Sequence, residues 1–185
     1  VYEGIETFMV SIVNVVGAGT GTANATVSIL DDDIVDIRAL DASCTEGDGV
    51  VNITLVRSGA IAVPVSVHFA TVAGSAVGTS DFGVKSGDAV WTAGGPSEQT
   101  VSVDIVDDSV FELTEAFALV LSAPSDGVVV VDNRADISVL DNDNVTVSIS
   151  DATVSESDGS ASIAIELTGT AQGTIVVSVA TADDS

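Results

Sequence analysis

The chain has 185 residues, of which 28 are acidic and 4 are basic, so its formal net charge is −24. Such an acidic chain repels nucleic acids and anionic membrane surfaces, so we expect no nucleic-acid partner. The apolar content of 46% is too high for a disordered polyelectrolyte and predicts a folded domain with an acidic surface.

The first 33 residues contain two runs in which polar and apolar residues alternate, which is typical of half-buried β-strands. The glycine-rich stretch 17–21 lies between these runs and predicts a hairpin tip, since it lacks the lysine and the helix of a phosphate-binding loop. The segment ends in three consecutive carboxylates, Asp31, Asp32 and Asp33. We interpret residues 1–33 as the last two strands, F and G, of one repeat.

Residues 34–143 are predicted to form one complete β domain. The alternation of side chains indicates seven short strands separated by Gly, Ser and Asp turns. Seven strands in about 100 residues are typical of an antiparallel immunoglobulin-like β-sandwich, and we expect Phe69, Trp91 and Phe117 in its core. The predicted strands are A (35–40), B (50–57), C (63–71), D (88–92), E (99–106), F (115–122) and G (133–140).

Residues 144–185 repeat the beginning of this domain and are predicted to supply strands A to C of a third repeat. Residues 41–75 align without a gap on residues 151–185, and 11 of the 35 pairs are identical. Two further stretches match at offsets of 110 and 109, namely 25–33 on 135–143 and 2–8 on 111–117. The predicted fold class is therefore all-β, with tandem immunoglobulin-like sandwiches, one complete and two partial.

Acidic residues are concentrated at one end of the predicted sandwich. The strand order places the A–B, C–D and E–F turns and the end of strand G at the same pole. Carboxylates packed together raise one another's pKa or require a cation to neutralise them. The acidic residues of this pole are Glu46, Asp48, Asp81, Asp107, Asp108, Glu112, Asp141 and Asp143. The turns of the opposite pole contain Glu98, Asp126 and Asp132.

Calcium is the cation that this arrangement fits best. It takes roughly six to eight oxygen ligands in irregular geometry, whereas magnesium demands a near-ideal octahedron. Zinc and copper are disfavoured because the only histidine, His68, and the only cysteine, Cys44, lie far from the acidic pole in the predicted fold.

Several motifs follow one another through the complete domain in a characteristic order. They are Thr-Glu-Gly-Asp-Gly at 45–49, Val-His-Phe-Ala-Thr at 67–71, Ser-Asp-Phe at 80–82, Ile-Val-Asp-Asp-Ser-Val-Phe-Glu at 105–112, Glu-Ala-Phe at 115–117 and Val-Leu-Asp-Asn-Asp at 139–143. Taken together they resemble the Calx-β repeats, although Phe82 replaces the tyrosine usual in that family. The resemblance extends into both partial repeats and implies a β-sandwich that binds several calcium ions at its distal loops.

The resemblance also implies which residues hold the calcium ions. In the complete repeat the implied ligands are Glu46, Asp81, Asp107, Asp108, Glu112, Asp141 and Asp143, with Asn142 as a further candidate and a backbone carbonyl near Val110 as an addition. Asn142 occupies the position that Asp32 occupies in the first repeat. This difference removes one negative charge from the complete repeat and affects the number of calcium ions that we expect there. The matching residues of the partial repeats are Glu3, Asp31, Asp32, Asp33 and Glu156, whose partners we expect outside this sequence.

Calx-β repeats occur in two kinds of setting, which leaves two hypotheses for this chain. The first is a structural or adhesive module of a long extracellular or cell-surface array, whose partners are neighbouring repeats and other copies in an adhesive or filamentous assembly. The second is a calcium-sensing module that regulates a transporter or an enzyme from a cytosolic loop. A composition rich in Thr, Ser, Gly and Val and poor in Lys favours the first. In both, the almost linker-free boundary after Asp143 predicts that calcium stiffens the repeat junction.

We expect no enzymatic activity. His68 is predicted to face away from the core, and Cys44 corresponds to Val154 in the next repeat, so neither is placed as a base or a nucleophile. Paired carboxylates can hydrolyse glycosides, but carboxylates in turns at a domain end, without an aromatic-lined cleft, do not form such an active site.

Signals for membrane insertion and for covalent modification do not help to choose between the two hypotheses. No apolar run reaches the roughly eighteen residues that span a bilayer, so we expect no direct membrane insertion. The sequence begins in mid-pattern at Val1, and we expect it to be part of a longer chain. Glycosylation sequons, which matter only in a secreted eukaryotic protein, begin at Asn24, Asn52 and Asn144.

Overall fold

The computed structural model describes residues 1–19 and 21–182. The regular elements of this part are β-strands and two short 3-10 helices, Glu46–Asp48 and Glu156–Asp158. Within these residues, no helix has the length and apolar character needed to cross a membrane. The strands are β1 (Glu6–Ser11), β2 (Asn24–Ile29), β3 (Val35–Ala39), β4 (Ala42–Thr45), β5 (Val50–Ser58), β6 (Val65–Ala73), β7 (Ser86–Trp91), β8 (Glu98–Asp104), β9 (Val110–Phe111), β10 (Glu115–Ser122), β11 (Val128–Asp132), β12 (Arg134–Leu140), β13 (Thr146–Ile149), β14 (Ile165–Thr168) and β15 (Thr170–Ala171).

Residues 35–140 form a sandwich of two sheets. One sheet has the strand order β4-β12-β10-β6-β7, and the other has the order β11-β3-β5-β8. Buried and exposed side chains alternate along β5, β8 and β12, so one face of each sheet packs in the interior while the other faces solvent. The all-β sandwich predicted from the sequence is confirmed.

The core lies between the two sheets and includes the predicted aromatic residues. Phe69, Trp91 and Phe117 are all buried. A fourth aromatic ring, Phe82, stacks on Phe117 with ring centroids 4.1 Å apart and an angle of 10° between the planes. Because Phe82 directly follows Asp81, this stack anchors the C–D turn to the core at the acidic pole.

Predicted strand A (35–40) is only the first of two strands in this region. β3 pairs antiparallel with β5 in one sheet, whereas β4 pairs in parallel with β12 in the other. The predicted strand G is likewise preceded by an additional strand in the other sheet, because β11 pairs in parallel with β3. Two parallel pairs therefore supplement the predicted antiparallel sandwich. Side-chain alternation does not reveal them, since its period is the same in parallel and antiparallel strands.

The segments on either side of the sandwich reproduce its strand pairs. β1 and β2 form an antiparallel hairpin in the register of β10 and β12, since Glu6 pairs with Ile29 as Glu115 pairs with Val139. β13 and β14 pair in the register of β3 and β5. The repetition seen in the sequence is thus also a repetition of strand pairing.

The strand C that the sequence predicts for the third repeat is not formed in the described residues. Residues 174–182 contain no strand. In the sandwich, the equivalent strand β6 lies between β10 and β7, and 144–182 contains the counterpart of neither. A strand without hydrogen-bonding neighbours has no sheet to join. The division of the chain at 33/34 and 143/144 stays a prediction.

The acidic pole of the sandwich contacts the third segment. β9, which lies in the turn between β8 and β10, pairs in parallel with β15. A similar parallel bridge joins Tyr2 of the first segment to Ile61 of the sandwich. Each segment therefore meets the next through its E–F turn and the following B–C turn.

Candidate metal centre

Four chain segments meet at the acidic pole. They are the A–B turn (45–49), the C–D turn (74–85), the E–F turn (105–114) and residues 141–143 after β12. The E–F turn is hydrogen-bonded to both neighbouring turns, because the N–H of Ile105 donates to the carbonyl of Gly49 and the N–H of Val106 donates to the carbonyl of Asp81, both at 3.0 Å. The sandwich thus gathers acidic residues that are far apart in the sequence.

Glu46, Asp108 and Asp143 form the first carboxylate cluster, in which one oxygen of each lies within 4.8 Å of the others. Glu46 opens the 3-10 helix that follows β4. Asp48 stabilises this helix by accepting the backbone N–H of Thr45 at 2.7 Å. Asp48 therefore stabilises the conformation of the A–B turn, while Glu46 is a member of the carboxylate cluster.

Asp81, Glu112 and Glu115 form the second cluster, with the same limit of 4.8 Å between oxygens. Asp81 is held in place by the N–H of Val77, which donates to its carboxylate. Glu115 is not among the predicted ligands, because its place at the start of a strand gives no hint that it faces the turn. A signal was present, since Glu115 recurs as Glu6 at the offset of 109.

The three other predicted ligands of the complete repeat are not members of these two clusters. Asn142 donates from Nδ2 to Oδ1 of Asp107 at 3.1 Å, so its amide ties the end of β12 to the E–F turn. Asp141 accepts the N–H of Asp143 at 3.2 Å. Asp141 is close enough for its charge to contribute to the raised pKa of Glu46.

Two of the clustered carboxylates have a buried oxygen without a partner. Glu46 is only 5% exposed, and its Oε2 accepts no hydrogen bond from the described residues. Oδ2 of Asp143 is also buried and accepts no hydrogen bond from the described residues. Glu112 is buried too and is 8% exposed. None of the ion pairs among residues 1–19 and 21–182 involves a carboxylate of either cluster. A buried, unpaired carboxylate is unfavourable unless it takes up a proton or meets a cation.

Burial and mutual repulsion raise the pKa of four of these carboxylates. Burial, followed by the charge of Glu112, raises the pKa of Glu46 to about 7. Burial and the contact with Asp81 raise the pKa of Glu115 to about 7. The pKa values of Glu112 and Asp143 are raised too, chiefly by burial and then by neighbouring carboxylates. The folded chain therefore holds protons here that the unfolded chain releases.

This raised affinity for protons predicts that the metal-free chain becomes less stable as pH rises. Between the ordinary glutamate pKa of 4.5 and the folded value of about 7, Glu46 and Glu115 stay protonated in the folded state and ionise in the unfolded state. Unfolding then releases protons, so higher pH favours it. We expect a higher melting temperature in chelator at about pH 5 than at about pH 8.

The double variant Glu46→Gln, Glu115→Gln provides the control for this pH effect. Because it lacks both groups, its melting temperature should depend less on pH over the same interval. An unmodified chain whose melting temperature in chelator rises from about pH 5 to about pH 8 would contradict the prediction.

The carboxylates of the first segment also cluster, but they are engaged in local hydrogen bonds. Oxygens of Asp31, Asp32 and Asp33 lie within 4.8 Å of one another. Asp31 accepts three backbone N–H groups, among them those of Glu3 and, at 2.9 Å, Asp33. These hydrogen bonds, that of Glu3 first, lower the pKa of Asp31. Asp31 is therefore held by the backbone of this turn, and the three residues stay predicted ligands.

Glu156 occupies the position in the third segment that Glu46 occupies in the sandwich. It opens a 3-10 helix of the same form, capped by Ser155. Its side chain is exposed, and it belongs to none of the carboxylate clusters in the described residues. The turn of Glu156 thus has the same form as that of Glu46, but residues 1–19 and 21–182 bring no carboxylate cluster to it.

The donor set of the acidic pole fits a hard divalent cation. Both clusters of the sandwich consist of carboxylates from separate turns, which is the ligand type and irregular geometry that calcium accepts. Zinc prefers nitrogen and sulfur donors, and the clusters in the described residues contain neither histidine nor cysteine. His68 hydrogen-bonds to Asp88 at 2.8 Å on the face of the β6–β7 pair. The prediction that Cys44 lies far from the acidic pole is wrong, because β4 ends at this pole and the charges of Asp48 and Glu46 add to the effect of burial in raising the pKa of the Cys44 thiol. Cys44 is nevertheless a member of none of the metal-ligand clusters in the described residues.

A family model of the Calx-beta domain matches residues 31–143 and, a second time, residues 140–185. Together the two matches cover most of the sequence. The chain belongs to the Calx-beta domain family. The resemblance predicted from the motifs is confirmed.

Two curated relatives are similar in sequence to about three quarters of this chain. The "Sodium/calcium exchanger Calx" of Drosophila melanogaster is 31% identical over 144 residues, which are 76% of this chain and 15% of the exchanger. "Extracellular matrix protein 3" of Lytechinus variegatus is 29% identical over 148 residues, which are 75% of this chain and 5% of that protein. The chain therefore spans only a small part of the length of either relative.

Solved structures of the Calx domains named CBD1 and CBD12 match more than half of this chain. The apo-form Calx CBD1 domain aligns with 60% of this chain and all of its own length, with a TM-score of 0.56 and 30% identity. The calcium binding domain CBD12 of CALX1.1 aligns with 59% of this chain and 44% of its own length, with a TM-score of 0.54 and 31% identity. The Calx CBD2 domain, at 14% identity and a TM-score of 0.52, shares the fold.

Proposed function

We propose that this Calx-beta chain binds calcium at its acidic pole. The observation that carries the proposal is the buried carboxylate of Glu46, which has one oxygen without a hydrogen-bond partner in the described residues and lies beside Asp108 and Asp143. Three such carboxylates would repel one another when ionised. A calcium ion among them would neutralise this repulsion and supply the missing partner.

The geometry supports two neighbouring ion positions. The first would be held by Glu46, Asp108 and Asp143, and the second by Asp81, Glu112 and Glu115. Glu112 adds to the raised pKa of Glu46 from across the boundary between the clusters, so the two positions interact electrostatically. Asp107, Asp141 and Asn142 would complete or orient these ligands from the rim.

The comparisons support calcium as the ion. One of the solved relatives is described as a calcium binding domain and is 31% identical to this chain. The family model of the Calx-beta domain matches residues 31–143, which contain both carboxylate clusters. An oxygen-only donor set points to the same ion.

We propose further that the chain is a structural module of a repeat array at the cell surface, in which calcium stiffens the junctions. The direct pairing of β9 with β15 beside the acidic pole supports this role, because an ion there would lie next to the junction. The similarity to an extracellular matrix protein supports the setting. Small-angle scattering of the chain with calcium and with chelator tests the stiffening, and identical maximum dimensions would contradict it.

A regulatory role is the second candidate, because the chain is as similar to a sodium/calcium exchanger as to the matrix protein. In that role calcium binding would shift the orientation of a neighbouring domain and so the activity of an attached transporter. The organisation of the longer protein separates the two settings. Many tandem copies would favour the array, whereas a pair of copies flanked by membrane spans would favour regulation.

In either setting we propose binding rather than catalysis. His68, the only histidine, pairs with Asp88 on an exposed face away from the carboxylate clusters. Burial raises the pKa of the Cys44 thiol, which disfavours the reactive thiolate. Neither residue is placed to act with the acidic pole as a nucleophile and base.

Calorimetric titration of the full chain with calcium near pH 8, after chelator has been removed, tests the calcium proposal. We expect saturable binding of at least two ions, and weaker binding of magnesium because the carboxylates do not form a regular octahedron. Replacing Glu115 by Gln should weaken the second position at least about tenfold, equivalent to about 1.4 kcal/mol.

Glu98→Gln is the matched control for this titration, because it removes the same charge from an exposed residue at the start of β8 on the opposite pole. It should leave calcium affinity unchanged. Equal losses in both variants would show that calcium responds only to net charge, and no saturable binding in millimolar calcium would refute the proposal.

A further inference from the structure

We infer that the E–F turn of each repeat docks in a socket on the next repeat through an aromatic residue, and that this contact sets the register of successive repeats. The partner is a following repeat of the same kind, which presents its B–C and F–G turns. This inference goes beyond calcium binding, because every contact that carries it is made by protein atoms alone.

The junction between the first segment and the sandwich shows the full contact. Tyr2 is 9% exposed and forms a parallel bridge with Ile61 in the B–C turn of the sandwich. The N–H of Tyr2 donates to the carbonyl of Ala60 at 2.9 Å, and the N–H of Ala62 donates to the carbonyl of Tyr2 at 2.8 Å. The backbone of Tyr2 is therefore held on both sides.

The junction between the sandwich and the third segment repeats this contact in the same register. Phe111 pairs with Ala171, and the N–H of Gln172 donates to the carbonyl of Phe111 at 2.9 Å. Phe111 corresponds to Tyr2 at the offset of 109, and Gln172 corresponds to Ala62 at the offset of 110. Two junctions with different sequences thus form the same hydrogen bond between equivalent residues.

A glycine in the F–G turn completes the socket. Gly127 has a φ of +74°, and a Cβ at this position would overlap the ring of Tyr2. The equivalent glycine of the first segment, Gly17, has a φ of +83°. Glycine is needed here both for the left-handed backbone and for the space that the aromatic ring fills. The socket therefore selects a large, flat side chain.

The E–F turn consequently has two faces. Phe111 contacts the following repeat, while Glu112, the next residue, joins the second carboxylate cluster. Tyr2 and Glu3 stand in the same order in the first segment. The following repeat therefore recognises the preceding one by an aromatic residue directly before an acidic one in the E–F turn of the preceding repeat.

Tyr2 is the only tyrosine of the chain, so 3-fluorotyrosine labelling gives one ¹⁹F resonance that reports the socket. In chelator, we expect this resonance to show a much smaller H₂O/D₂O solvent shift than it shows in urea. Gly127→Ala should move the resonance to the exposed value, because the added methyl group takes the place of the ring. Fluorescence of the buried Trp91 verifies that the sandwich stays folded.

Gly94→Ala is the matched control, since Gly94 also has a positive φ, of +69°, but a Cβ there meets no atom within 4 Å. Its ¹⁹F resonance should stay at the unmodified position. If Gly127→Ala does not fold, Ile61→Ala, which removes a buried apolar side chain from the hydrophobic cluster that includes Tyr2, should expose Tyr2 instead. An exposed Tyr2 resonance in the unmodified chain, or one that both socket variants leave unchanged, would overturn the inference whatever the calcium titration shows.

Discussion

Replacing Glu46 by Gln is expected to stabilise the metal-free chain and at the same time to weaken calcium binding at least about tenfold. Glu46 is buried beside Asp108 and Asp143, and burial raises its pKa to about 7, so at about pH 8 it is a buried charge that no ion pair of the described residues neutralises. Glutamine keeps the shape and removes that charge. The substitution also removes one of the three carboxylates that would bind calcium at the first ion position.

Urea unfolding followed by Trp91 fluorescence, with chelator and with calcium, measures both halves of this prediction. The unfolding midpoint of Glu46→Gln should lie above that of the unmodified chain in chelator and below it in saturating calcium. Glu98→Gln, at the opposite pole, should show no such reversal. A variant that loses stability in chelator would mean that the Glu46 carboxylate is satisfied in the absence of metal, and the central argument for calcium would fail.

Phe82→Ala is expected to lower the free energy of unfolding by about 3–5 kcal/mol, the usual range for removing a buried aromatic ring. Phe82 is 1% exposed, stacks on Phe117 and forms a bridge with Ile105 at the start of the E–F turn. Losing the ring would leave a cavity and release the C–D turn. Because Asp81 is the preceding residue, calcium binding at the second cluster should weaken as well.

The control for Phe82→Ala is Val84→Ala, two residues further along the same turn. Val84 is 67% exposed, so its truncation should change the free energy of unfolding by less than about 0.5 kcal/mol. Urea unfolding gives both values, and calcium titration of the folded fraction gives the effect on the site. If Phe82→Ala costs no more stability than Val84→Ala, the C–D turn is not anchored through this ring.

Local sequence patterns determined the strands and the segregation of acidic residues. Alternation along residues 99–106 and 115–122 predicted strands that the structure contains as β8 and β10 with small shifts in their ends. The period of two persists in any half-buried strand, whatever its partner. The internal repeat at offsets of 109 and 110 could also be identified from the sequence, because strand pairs at equivalent positions need similar residues.

The sequence did not allow us to predict which distant strands pair with each other. The crossing of β4 to the second sheet and the parallel pairing of β11 with β3 depend on which edges are free after the other strands have paired. Such contacts join residues nearly 100 positions apart, and alternation contains no information about the partner. The strand C predicted for the third segment is not formed in residues 174–182 for a related reason, since residues 144–182 contain no counterpart of the strands β7 and β10 beside which it would pair.

For the candidate site, the sequence determined that carboxylates gather at one pole, since strand order alone places Glu46, Asp81, Asp108 and Glu112 in turns at the same end. Only the tertiary structure divided them into two clusters, added Glu115 and showed that Tyr2 fills a socket over Gly127. The physical reason is that a pole is fixed by the direction of strands, whereas distances between side chains and the burial of a single oxygen depend on how the turns pack against each other.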